Sequence, residues 1–98
     1  MLQKNVIKDR LVSSKALLGR FGINRLGLFG SARRDDMREG SDIDILIDFE
    51  NDKETYVNFL EACQLLESIF KGYKVDIVSV KGLSPFIGPH ILNDVEYV

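Results

Sequence analysis

Residues 26–46 read Leu26-Gly27-Leu28-Phe29-Gly30-Ser31-Ala32-Arg33-Arg34-Asp35-Asp36-Met37-Arg38-Glu39-Gly40-Ser41-Asp42-Ile43-Asp44-Ile45-Leu46. An apolar run empties abruptly into Gly30-Ser31, as a buried strand does on reaching a tight turn. Past the loop, Asp42 to Phe49 alternates polar and apolar residues, the pattern of a half-buried strand, so Asp42 and Asp44 project from one face. The stretch therefore predicts two strands, at about 25–30 and 42–49, joined by a functional loop with a helical turn beginning near Ser31.

The residue types point to phosphate and metal chemistry. Without a Cβ at Gly30, a phosphate can come close to the amides that follow, and the Ser31 hydroxyl can bond a phosphate oxygen. Arg33 and Arg34 lie just beyond, placed to neutralise phosphate charge. Two carboxylates about 7 Å apart on one strand face repel each other unless a cation lies between them. Mg²⁺ suits such a pair, since it takes oxygen ligands, keeps several waters and commonly binds one or two carboxylates plus substrate phosphates. Two such ions can activate an attacking oxygen and stabilise a leaving pyrophosphate. A third carboxylate is expected at Asp76, the lone acid of the β-rich run from Tyr73 to Val80, and an acid that looks buried in a strand is seldom there for packing.

The rest of the chain reads as a small α/β unit. Ile7, Leu11, Leu18 and Phe21 recur at helical spacing over residues 3–21, with Gly22 as the stop. Asn51 with Glu54 predicts a helix start, followed by an apolar stripe of Tyr56, Phe59, Leu60, Cys63, Leu66, Ile69 and Phe70 that ends at Gly72. After the third strand, Gly82, Pro85, Gly88 and Pro89 break the chain, leaving a helical turn at 90–93 and a short strand at 95–98. Asp48 reads as a solvated strand end, Asp35, Asp36 and Glu39 as solvated loop acids, and Cys63 as packing.

Composition narrows the function classes. The 98 residues, 45% of them hydrophobic, make one domain with a modest core. A net charge of −2 lacks the basic surplus of a general nucleic-acid binder. One cysteine, Cys63, cannot form an internal disulfide, and no stretch has the length of a signal-peptide core or a membrane span, so a soluble cytoplasmic protein is expected.

The order Gly-Ser, ten residues, Asp-x-Asp and a later strand Asp resembles the polymerase-beta nucleotidyltransferase superfamily. Leu28 to Arg33 together with Ser41 to Leu46 is similar to the minimal nucleotidyltransferases, and the likeness covers nearly the whole chain. It implies a palm-like α/β (α+β) fold, with a small mixed or antiparallel sheet flanked by helices, as a single domain over 1–98. It also implies AMP transfer from ATP, with two Mg²⁺ ions, onto a tyrosine of a HEPN-domain toxin, for which the chain is the antitoxin. By position, Asp42, Asp44 and Asp76 would be the catalytic metal ligands, and Gly30, Ser31, Arg33 and Ser41 would bind the nucleotide. Arg34 stands where many members have glycine. With no second domain to present the acceptor, a partner protein or a second copy is expected to do so. Two alternatives are an antitoxin that masks its toxin by binding alone and a nucleotidyltransferase acting on small molecules.

Overall fold

The computed structural model describes residues 2–98. Helix α1 (Lys4–Gly19) leads into strand β1 (Ile23–Phe29), the single-turn helix α2 (Gly30–Arg33) and strand β2 (Ile43–Phe49). Helix α3 (Tyr56–Ile69) crosses to strand β3 (Val75–Ser79), and a 3₁₀ turn, helix α4 (Gly88–Asp94) and strand β4 (Glu96–Tyr97) complete the chain. The four strands form one mixed sheet in the order β3-β2-β1-β4, as the expected fold class requires. β1 is antiparallel to both β2 and β4, whereas β2 and β3 are parallel. The parallel pair needs a crossover, and α3 supplies it.

The alternation read from β2 fixes the sheet's two faces. Ile43, Ile45, Ile47 and Phe49 join Leu26 and Leu28 of β1 in the core, where Ile7, Leu11 and Leu18 of α1 and Ala62, Leu66 and Phe70 pack. Asp44 and Asp48 belong to the opposite face. In α1 the buried positions include Ser14, which sits on the apolar side because its hydroxyl donates to Arg10 O at 2.7 Å.

Helix α3 differs from its predicted form in two respects. Its N-cap is Thr55, whose Oγ1 accepts from Asn58 N at 3.1 Å, rather than Asn51. Glu54 reaches instead to the Ser79 hydroxyl, which donates to it at 2.8 Å. The predicted stripe was also too wide, because Tyr56 is 80% and Leu60 43% exposed. Leu60 precedes the fully buried Ala62 by two residues and so lies across the helix from it, at 100° per residue. Among the described residues, no helix is long and apolar enough to cross a membrane.

Candidate active site

The antiparallel register places Phe29, the last residue of β1, opposite Asp44. The next residue, Gly30, takes the left-handed conformation at φ 69°. A Cβ there would run into Asp44 Oδ2 and lie 3.2 Å from its Cγ, so the Asp44 carboxyl occupies the space glycine leaves free. The Gly30 N–H donates to Asp94 Oδ2 at 2.7 Å. The turn is thus held between two carboxylates, one from the neighbouring strand and one from the end of α4.

The third predicted acid lies beside the first two. Asp76 is the register partner of Asp44 across the parallel β2–β3 pair, and Asp42 immediately precedes β2. Asp76 is exposed, not buried, because β3 is an edge strand and this residue lies near its first end. Among the described residues, no three acid, histidine or cysteine side chains converge into a ready-made metal cage. The three carboxylates instead share one end of the sheet, with Lys74 Nζ 3.8 Å from Asp42 Oδ2. The electrostatic consequence falls on Asp44, whose carboxyl is pushed up to about 6, first by burial and then by the charges of Asp76 and Asp42, with Arg34 opposing. Uncompensated negative charge on hard oxygen donors is what a divalent cation relieves, so the donor set fits one.

The two arginines separate. Arg34 lies among the acids, with Nη1 3.4 Å from Asp94 Oδ2 and Nε 3.9 Å from Asp36 Oδ2. Arg33, the one favoured from sequence, is half-buried and its Nε has no hydrogen-bond partner. Arg34 is right-handed (φ −84°, ψ 0°), and it is Asp35 that takes positive φ, at 57°, a conformation aspartate tolerates better than most residues. Asp35 is not a free loop acid either, since its Oδ1 accepts from Lys4 N at 2.9 Å and so caps the start of α1.

The remaining predicted positions sort by what they touch. The Ser31 hydroxyl has only a weak 3.5 Å contact to Met37 Sδ, so it keeps its donor for a ligand. Ser41 is used within the loop: its Oγ accepts from Arg38 N at 3.0 Å and its N–H donates to Arg38 O at 2.9 Å. Asp48 is paired with Arg25, at 2.9 Å to Nη2, rather than solvated, and the guanidinium stacks 4.5 Å from the centroid of Tyr97. Burial, and then the charge of Glu67, pushes the Cys63 thiol up, as suits a packing residue. Beside Asp42, a cleft of about 400 Å³ opens between residues 37–42 and 72–74. It lies toward β3, whereas Gly30-Ser31 lies toward β1.

Sequence reasoning missed Asp94, and no local signal marked it, because its bonds to Gly30 and Arg34 span 64 and 60 positions. Arg34 did carry a signal. In a helical turn that begins at Gly30, the residue four positions on stacks over the same face.

Comparisons with known proteins bear on the family and the fold. The model of the nucleotidyltransferase domain family matches residues 13–98. Protein adenylyltransferase MntA of Thermococcus cleftensis is 39% identical over 84 residues, which cover 86% of this chain and 83% of that protein. A solved structure described as a candidate minimal nucleotidyltransferase superposes with a TM-score of 0.82 at 32% identity, over 97% of this chain and 95% of the other. A toxin–antitoxin crystal structure with AMP-PNP shares the fold at 22% identity and a TM-score of 0.68, over 91% of this chain and 69% of that one. The chain belongs to the nucleotidyltransferase domain family, in its minimal form.

Proposed function

We propose that this chain is a single-domain protein adenylyltransferase, spanning residues 1–98, that moves AMP from ATP to a tyrosine hydroxyl of a HEPN-domain toxin and so acts as its antitoxin. The observation that carries this reading is the meeting of an open Gly30-Ser31 turn, the Arg34 guanidinium and the Asp42, Asp44 and Asp76 carboxylates at one end of the sheet. The relative from Thermococcus cleftensis, a protein adenylyltransferase, supports the reaction class.

In this reading Ser31 and Arg34 grip the triphosphate, and the glycine leaves room for it. Asp42, Asp44 and Asp76 would hold divalent cations, Mg²⁺ by ligand hardness and two of them by the chemistry of two-metal phosphoryl transfer. When bound, the cations neutralise the phosphates and favour ionisation of the acceptor hydroxyl. The acceptor oxygen forms a bond to the α-phosphorus as the bond to the pyrophosphate breaks, and the acceptor proton goes to solvent or a neighbouring carboxylate. In-line transfer needs the attacking and leaving oxygens on opposite sides of that phosphorus. With pyrophosphate toward the β1 side, the acceptor approaches from the β3 side, where the cleft at residues 37–42 and 72–74 opens.

The test is toxin protection by the Asp42→Ala/Asp44→Ala double variant. Protection lost while the complex with the toxin stays intact supports catalysis. Protection retained refutes it in favour of masking by binding.

A further inference from the structure

We propose that Asp94 is a positioning residue that sets the Gly30-Ser31 turn for nucleotide through the Gly30 amide. The inference rests on the adenylyl-transfer reading above and deepens it. Asp94 is the final residue of α4, far in sequence from the motif, yet its Oδ2 accepts from Gly30 N at 2.7 Å and lies 3.4 Å from Arg34 Nη1. One oxygen therefore ties together two parts of the phosphate grip, the backbone of the turn and the cation beside it.

The geometry leaves few alternatives for that turn. On its Cα side Gly30 is backed by the Asp44 carboxyl, and its carbonyl accepts from Arg34 N at 3.2 Å. The N–H is the remaining backbone polar group of this residue, and Asp94 takes it. A charged acceptor on a backbone amide makes a strong hydrogen bond. With that bond in place the turn keeps one conformation, in which the Ser31 hydroxyl is held by nothing stronger than its 3.5 Å contact to Met37 Sδ and can take a phosphate oxygen. Without it, the turn can rotate about the flexible glycine and Arg34 loses its anchor. Asp94 itself is about one-third exposed, so shortening its side chain opens no cavity in the core.

The experiment measures ATP binding by a fluorescent ATP analogue, and steady-state transfer to the partner, for wild type, Asp94→Ala and Asp94→Asn. Asparagine keeps an oxygen that can accept from Gly30 N–H, whereas alanine removes it. The expected result for Asp94→Ala is a rise of about tenfold in both the nucleotide Kd and the KM for ATP, with kcat at saturating ATP close to wild type and Tm little changed. Asp94→Asn should recover most of that loss. Wild-type nucleotide affinity in Asp94→Ala overturns the proposal, as does an Asp94→Asn variant as weak as Asp94→Ala. If alanine prevents folding, the Gly30 amide resonance decides. It should lie downfield in the wild type and move upfield in Asp94→Asn but not in Asp36→Asn, and an unmoved resonance in Asp94→Asn overturns the contact. Failure of the wild type to bind ATP at all would instead refute the function itself.

Discussion

Substituting Gly30 by alanine separates backbone strain from damage to the site. At φ 69° the new side chain meets the left-handed penalty of about 1–2 kcal/mol, which in a chain of this size lowers Tm by about 4–16 °C. Gly72→Ala sets the scale for that strain, because Gly72 has φ 94° and nothing within 4 Å of its would-be Cβ. Gly30→Ala carries a second effect that Gly72→Ala lacks, since the added methyl drives into the Asp44 carboxyl. Asp44 must swing away by about an ångström, and a displacement of that size near reacting atoms costs on the order of 100-fold in rate. Thermal melts and a transfer assay run well below both melting points read the two effects separately. Similar losses of Tm are expected in both variants, with transfer collapsing only in Gly30→Ala. A Gly30→Ala protein that transfers like wild type would refute the reasoning that Asp44 and the glycine share one space.

Three further outcomes follow from the charge pattern and the caps. In chelator, the folded Asp44 carboxyl titrates near 6 against 3.8 when unfolded, so folding takes up a proton in that window. Its contribution is therefore most favourable below about pH 4 and lost as pH rises to about 6. Asp44→Asn should flatten this part of the Tm–pH curve, and added Mg²⁺ should raise the wild-type Tm at neutral pH. Glu96 accepts from Lys4 at 2.7 Å and Lys8 at 2.9 Å, joining α1 to β4, and these bonds hold its carboxyl at about 2. Because the group is partly exposed, Glu96→Gln should cost at most about 1 kcal/mol. That loss should be present above pH 4.5 and vanish as pH falls toward 2, a difference urea melts can follow. Thr55→Ala, which removes the N-cap of α3, should cost about 1 kcal/mol of stability while leaving transfer unchanged.

What was legible in the sequence was what local pattern controls. Period-two alternation in β2 placed Ile43, Ile45 and Ile47 in the core and Asp44 on the opposite face, and the Gly-Ser break marked the end of β1 to within a residue. The nearness of Asp76 to Asp44 followed once both were placed in neighbouring strands. What escaped depends on contacts across the fold. Asp76 is exposed because strand order puts β3 at the edge, and strand order is not written in any one segment. Asp35 looked like a loop acid because its partner, the start of α1, lies 31 positions away. Arg33 and Arg34 meet different surroundings because of the phase of a four-residue helix, where one residue of offset sends a side chain 100° around. Tyr56 and Leu60 are apolar and helical yet exposed, and periodicity alone could not say how wide the buried stripe would be.

The most direct test is the intact mass of the proposed toxin partner after incubation with this protein, ATP and Mg²⁺, beside the Asp42→Ala/Asp44→Ala control. Gain of one or more AMP units on a toxin tyrosine, only with the intact carboxylates, is the predicted result. An unmodified toxin in a stable complex, with ATP and the other nucleoside triphosphates all tried, would contradict the account.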